Sequence, residues 1–271
     1  MPLLNLYDLF EDVTRSVLHV DQFDSALEGQ INDAYKYLCN AFHDSKPVDY
    51  SDALVRAAYM LAFAPRYAIF WQKFYSLAEF KFGYTRLRTP QSGVLKLNFI
   101  GAGPGSEIAG IAAAGIPTHV RTDVNIIDIQ TGWIDCLEAC LTSIESVSGV
   151  KSPLFFHYPS LENLEVNWPV IGSFVLSDLA RQGILDSYLN ELASLAKGQP
   201  AMFMDTYDFR DADGNPRHLE DFFGIKPDWT VNLHVDCNLG DAIHKQYVAC
   251  PRLSCQKPNV VPKIAVYKFR F

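Results

Sequence analysis

Leu97-Asn98-Phe99-Ile100-Gly101-Ala102-Gly103-Pro104-Gly105-Ser106-Glu107 passes from an apolar stretch through three closely spaced glycines into a sequence that opens a helix. A nucleotide pocket begins in this way. Glycine takes the positive φ of a tight turn and lets the backbone approach a ligand, while the free N–H groups of the next helix's first turn face the same space. A glycine-rich turn alone is weak evidence, so its worth depends on what surrounds it.

C-terminal to the turn the chain alternates strand and helix. Leu95 to Ile100 reads as a strand, and Ser106 to Ala114 as a helix stopped by Gly115, with Pro117 just beyond. Strand Val124 to Ile129, helix Trp133 to Val147, short strand Leu154 to His157, strand Ser173 to Ser177, helix Ile184 to Ala196 and strand Ala201 to Asp205 follow. Beyond Pro227, the stretches Trp229 to Val235, Lys245 to Ala249 and Lys263 to Phe269 read as strands with no long helix between the last two. The expected fold is therefore α/β: a doubly wound, mostly parallel seven-stranded sheet with an antiparallel C-terminal hairpin at its edge.

N-terminal to the turn the pattern is helical up to about Phe82, with apolar residues recurring at three and four: Val13, Val17, Leu18, then Leu27, Ile31, Tyr35, Leu38, then Leu54, Ala57, Ala58, Leu61. Pro65 should end or kink one helix, and the next carries an aromatic stripe of Tyr67, Phe70, Trp71, Phe74 and Tyr75. Such a stripe is either core or the wall of a ligand pocket. Thr89-Pro90-Gln91-Ser92-Gly93 reads as a linker. The expected division is a helical cap on the substrate side over residues 1–90 and a Rossmann-like domain over 91–271.

At 271 residues and 49% hydrophobic, the chain has enough apolar material for a full core. Its net charge of −8 argues against broad contact with nucleic acid or an anionic membrane. One basic stretch, Lys81 to Arg88, reads as a solvated linker face. Met1 to Asp8 lacks the basic region and cleavage site of a signal peptide, and Ala53 to Tyr75 is broken by Arg56, Pro65, Arg66 and Lys73, so a cytoplasmic protein with no membrane span is expected. Cys136 and Cys140, like His234, Cys237, His244, Cys250 and Cys255, show no CxxC or HxxxH spacing, so buried free thiols are expected in place of a metal site.

In a doubly wound sheet, ligands bind beyond the carboxyl ends of the strands, so the residues ending each strand are the candidates. The first strand ends at Gly101 to Gly105, and the second at Asp128 and Ile129, where a carboxylate can accept both hydroxyls of a ribose. Leu161-Glu162 follows the third, Ser177-Asp178 ends the fourth, and Asp205-Thr206-Tyr207-Asp208 ends the fifth. The GxGxG spacing has Ser106 where a dinucleotide fingerprint has its third glycine or an alanine. The long helical prelude and the paired terminal strands also point away from a dinucleotide domain.

On these residues, from about Val94 to Phe271, the chain resembles the class I S-adenosylmethionine-dependent methyltransferases. The resemblance implies that Gly101, Ala102, Gly103, Pro104 and Gly105 lie against the methionine portion of S-adenosylmethionine and that Asp128 holds the ribose. It implies that Leu161 and Glu162 flank the adenine, and that Ser177 and Asp178 face the methyl group. One departure is Phe99, which stands where the family usually has an acidic residue. A looser subgroup with a GPGSE-like turn and an upstream aromatic helix is similar over Tyr59 to Phe70.

Methyl transfer is an in-line displacement that needs alignment, exclusion of water and, for some acceptors, removal of a proton. Asp178 and Tyr207 are the catalytic candidates with Asp208 behind them; alternatively Asp178 caps a helix and Asp208 caps a loop. The Asn/Asp-Pro-Pro-aromatic motif of enzymes that methylate nucleic-acid bases is absent after the fourth strand, which favours a small-molecule acceptor. Arg66 and Tyr67 offer a cation and a ring to an anionic or planar substrate, and the N-terminal helices are also available for oligomerisation. Two alternatives stand beside this reading. One is an NAD(P)-linked oxidoreductase, with Asp128 on the adenosine ribose but no Tyr-xxx-Lys; the other is a non-catalytic binding or assembly module on the same fold.

Overall fold

The computed structural model describes residues 4–44, 46, 48–81, 94–114, 121–148, 157–158, 161–196, 198–210, 213, 215–233 and 264–271. Four helices come first: α1 (Leu6–Leu18), α2 (Ser25–His43), α3 (Ala53–Ala62) and α4 (Ala64–Lys81). Each of the first three begins at a residue whose side chain accepts a backbone N–H. Asn5 takes that of Tyr7, Asp24 that of Leu27 and Asp52 that of Leu54. Pro65 sits in the first turn of α4, where its missing N–H costs no helical bond, so it starts this helix and does not kink it.

The strands in chain order are β1 (Val94–Ile100), β2 (Arg121–Ile127), β3 (His157–Tyr158), β4 (Val170–Ser173), β5 (Pro200–Thr206), β6 (Asp208–Arg210), β7 (Pro216–His218), β8 (Trp229–Leu233) and β9 (Ile264–Arg270). The main sheet has the order β3-β2-β1-β4-β5-β9-β8, while β6 and β7 pair as a separate arm. The first five strands are parallel, and β9 runs antiparallel to both β5 and β8. This is the mixed, mostly parallel α/β arrangement that the alternation predicts. The chain moves outward from β1 to β2 and β3, then returns to place β4 on the other side of β1. That reversal opens a crevice at the carboxyl ends of β1 and β4.

Helices cover both faces. On one face α1 and α4 pack with α5 (Ser106–Ala113) and α6 (Trp133–Ser148), burying Phe10, Val13, Trp71, Phe74, Ile108, Leu137 and Leu141 against Leu97, Phe99, Val124 and Ile126. On the other, α7 (Leu176–Arg181) and α8 (Leu185–Ala196) bury Leu185, Leu189 and Leu192 against Phe203, Tyr267 and Phe269. Helices α2 and α3 share a separate apolar cluster around Leu38 and Leu61. The aromatic stripe of α4 therefore divides: Phe70, Trp71 and Phe74 are core, while Tyr67 is only half-buried.

The fourth strand differs from expectation. It spans Val170–Ser173, and Ser177 and Asp178 lie in α7, not at a strand end. Phe174 takes a left-handed φ of 56° that stops the strand, and its N–H donates to the Met204 carbonyl at 2.8 Å. A short apolar run such as Phe174-Val175-Leu176 carries too little periodicity to tell strand from helix. The antiparallel arm of β6 and β7 is also not anticipated by the sequence reading. The expected features at Leu154 to Phe156, Thr89 to Gly93, Gly115, Pro117, Arg86, Arg88, Lys245 to Ala249, and at Cys237, Cys250, Cys255, His234 and His244 lie outside the described residues.

Among the described residues no helix is long and apolar enough to cross a membrane. Cys136 and Cys140 are buried thiols, pushed up to about 11 and about 12 by burial.

Candidate functional site

The glycine turn is built as its composition requires. Gly101, Gly103 and Gly105 have φ of 62°, 50° and 87°, and a Cβ on Gly105 would stand 2.6 Å from Leu137 Cδ1. The turn lies against the loop after β4, since a Cβ on Gly101 would be 3.4 Å from Val175 Cβ. It also lies against the start of α6, since one on Gly103 would be 3.9 Å from the Trp133 ring. Ala102, Pro104 and Gly105 are buried behind it.

Asp128 follows β2 directly and fastens the turn. One carboxylate oxygen accepts the Gly103 N–H at 2.9 Å and the other accepts the Gln130 N–H at 2.8 Å. The next residue, Ile129, is 78% exposed and so presents an apolar side chain to solvent beside a buried carboxylate.

The wall carrying Leu161 and Glu162 is held from below by two buried amides that face each other across β1 and β2. Asn98 Oδ1 accepts from Asn125 Nδ2 at 2.8 Å and from the Glu165 N–H at 3.0 Å. Asn98 Nδ2 donates to the Glu165 and Trp168 carbonyls, and Asn125 Nδ2 to that of Asn163. Leu161 is buried and Glu162 exposed on this short 3-10 turn. Asn98→Ala orphans several buried groups at once and is expected to lower stability by about 1–3 kcal/mol, read from the urea midpoint.

Past β4, Ser177 is buried and its N–H donates to Asp205 Oδ2 at 3.0 Å. Asp205 is fully buried at the end of β5 and also accepts the Thr206 N–H, with burial pushing its carboxyl up to about 6. It positions α7. Asp178, one residue on from Ser177, pairs with Arg181 and does not cap the helix. Its side chain is open to solvent, yet the mass around it raises its carboxyl against the pull of Arg181.

Tyr207 and Asp208 meet partners on the β6–β7 arm. The Tyr207 ring lies 5.1 Å from that of His218, and Asp208 Oδ1 is 2.8 Å from His218 Nδ1.

Arg66 and Tyr67 share the first turn of α4, and the Tyr67 ring stacks on Phe174 at 3.8 Å. Tyr67 thereby joins a wall the sequence reading did not assemble: Tyr59 of α3 lies 6.1 Å from it, and Tyr50 and Trp133 complete the group. Arg56, buried beneath, donates Nη1 to the Tyr50 and Ser51 carbonyls at 2.7 and 2.8 Å.

Glu107, directly after Ser106, is another residue to which sequence reasoning assigns no role. It is 1% exposed at the first turn of α5, and burial pushes its carboxyl up to about 8. The Ser173 hydroxyl, which accepts from Trp71 Nε1, is close enough to favour the ionised form. Glu107 Oε2 and Ser106 Oγ are both buried without a hydrogen-bond partner among the described residues. Two orphaned polar atoms at the start of a helix, beside a bare glycine turn, leave hydrogen-bonding capacity for a ligand. Among the described residues no group of three or more His, Cys, Asp or Glu is arranged to hold a metal ion.

No protein-family model matches the chain, and no curated protein matches it. Among solved structures it is similar to an uncharacterised protein from Burkholderia thailandensis (11% identity, 92% of this chain and 94% of that one, TM-score 0.45). Another structure from that organism, bound to S-adenosyl-homocysteine, gives 11% identity over 92% and 95%, with a TM-score of 0.44. The mitomycin 7-O-methyltransferase is similar at 11% identity over 98% of this chain and 68% of that one, with a TM-score of 0.45. Likeness at this level carries no functional weight by itself.

Proposed function

We propose that the chain is an S-adenosylmethionine-dependent methyltransferase that acts on a small molecule. The observation that carries the reading is the unit formed by Asp128, its hydrogen bond to Gly103, the exposed Ile129 and the orphaned Ser106 Oγ and Glu107 Oε2. A nucleoside laid over this unit meets a carboxylate for its ribose hydroxyls, an apolar surface for its base and buried polar atoms for the remainder of the ligand. Gly101 to Gly105, Leu161, Glu162 and Ser177 form the rest of its bed.

When bound, the cofactor supplies an electrophilic methyl group. The chain's own residues align the acceptor and exclude water: the half-buried Tyr67 and Phe174 stand beside the β4 loop, and Asp178 is the carboxylate open to that side. Residues 1–90 provide the substrate side in this reading and residues 91–271 the cofactor side. The acidic balance and the lack of the Asn/Asp-Pro-Pro-aromatic motif favour a small acceptor over nucleic acid.

Calorimetric titration with S-adenosylmethionine, S-adenosylhomocysteine and NAD tests the proposal. Micromolar binding of both adenosyl compounds is expected, weakened about 10- to 50-fold in Asp128→Ala, the range of one or two charge-assisted hydrogen bonds. Binding of NAD alone assigns the site to an oxidoreductase. Binding of none of the three assigns the fold to a non-catalytic module.

A further inference from the structure

Tyr50, Tyr59, Tyr67, Trp133 and Phe174 come from widely separated parts of the chain and meet above the glycine turn. Tyr50 and Tyr59 stand edge to face at 5.6 Å, and Trp133 lies 5.1 Å from the first and 5.4 Å from the second. Trp133 is buried, while the other four are half-buried, so part of each of their rings stays accessible.

Asp128 after β2, Asp178 in the first turn of α7 and Glu107 in the first turn of α5 lie within electrostatic reach of this wall's tyrosines. Burial is the main cause that lifts the Tyr50 and Tyr59 hydroxyls well above their usual range. Asp178 and Asp128 act in the same direction on Tyr50, as do Glu107 and Asp178 on Tyr59. Arg181 pairs with Asp178, Arg56 donates to two backbone carbonyls, and Arg66 stands next to Tyr67 in the first turn of α4. Glu107, which burial favours in the protonated form, adds a buried polar atom, Oε2, with no hydrogen-bond partner among the described residues. A cation entering here meets ring faces, whose quadrupole attracts positive charge, with Asp128 and Asp178 as the ionised carboxylates nearby.

Resting on the methyltransferase reading, we propose that this aromatic wall takes an amine as methyl acceptor and receives it as the ammonium. This reverses the anionic substrate that Arg66 suggests in the sequence. For transfer the ammonium gives one proton to the carboxylate of Asp178. The freed nitrogen lone pair then forms the N–CH3 bond as the S–CH3 bond breaks and its electron pair returns to sulfur. The methylated nitrogen carries the positive charge that the sulfur loses, and Asp178 passes its proton to solvent.

The test uses phenyltrimethylammonium, a cation that cannot react, and benzoate, an anion of similar bulk. Each is titrated into the whole chain saturated with S-adenosylhomocysteine while Trp fluorescence is followed. The cation is expected to bind at least tenfold more tightly than benzoate. Tyr59→Leu and Tyr67→Leu are each expected to weaken it fivefold or more without changing the S-adenosylhomocysteine titration, whereas Tyr59→Phe and Tyr67→Phe, which keep the rings and the packing, retain it. Equal or tighter binding of benzoate overturns the proposal, as does cation binding indifferent to both Leu substitutions. Failure of S-adenosylhomocysteine to bind strikes the methyltransferase reading instead, and the cation-to-benzoate ratio measured without it still decides what the aromatic wall selects.

Discussion

Glu107→Gln is expected to flatten the decline in stability that the native chain shows from mildly acidic to mildly alkaline pH. The carboxyl rises from 4.5 to about 8 on folding, chiefly by burial, with the Asp128 charge adding to the rise and Ser173 opposing it. Tyr59 and Cys140 face the same group and stay protonated across this range, because burial raises both. Between the two pKa values the folded state holds a proton that the unfolded state has released. Stability is therefore highest below about 4.5 and falls as pH rises through about 8.

Each pH step of one between those two values is worth about 1.4 kcal/mol, and relaxation around the newly charged group leaves a loss of about 3 kcal/mol. Gln keeps the shape and removes the titration. Urea midpoints at about pH 5.5 and about pH 8.5 should diverge strongly in the native chain and only weakly in the variant. A residual slope at the acid end is expected in both, because Asp205 rises from 3.8 to about 6 with the same sign. Parallel profiles for the two proteins contradict the assignment.

Gly110→Ala should be the most damaging small substitution on the cap-facing side of the sheet. In an exposed helix interior Ala is better than Gly by about 1 kcal/mol. At Gly110, however, the added Cβ would lie 2.3 Å from the Ala68 carbonyl oxygen and 2.7 Å from Trp71 Cβ, with backbone on one side and a fully buried ring on the other. Neither can retreat cheaply. The crossing of α4 over α5 must open, costing about 2–4 kcal/mol and disturbing the bond from Trp71 to Ser173. Gly29→Ala in α2, where nothing lies within 4 Å, is the control and should gain up to about 1 kcal/mol. Equal responses at the two sites would show that helix propensity, not interhelical contact, governs Gly110.

Much of the frame was legible because its signals are local. The glycines declared positive φ, the strand before them was apolar, and Asp128 followed the next apolar run at the place where a strand must end. Pairings between distant residues were not legible. Nothing within a few positions of Asn98 or Asn125 says that they face each other across two strands, nor that Asp205 holds the N–H of Ser177. The fourth strand was misplaced because Phe174 bears a left-handed conformation that residues of its type rarely take, so no composition rule flags it. Glu107 opens a helix in sequence, a position suited to solvent; its burial under α4 is a tertiary fact.

The position of β9 orders how the sheet can come apart. It bonds on both sides, to β5 and to β8, while β8 has β9 as its one partner among the described strands. Thermal opening is thus hierarchical: β8 can detach alone, but β9 cannot leave without taking β8 with it. In native-state hydrogen exchange the β8 amides should never outlast those of β9, and denaturant should merge the two into a single unit before the parallel strands release theirs.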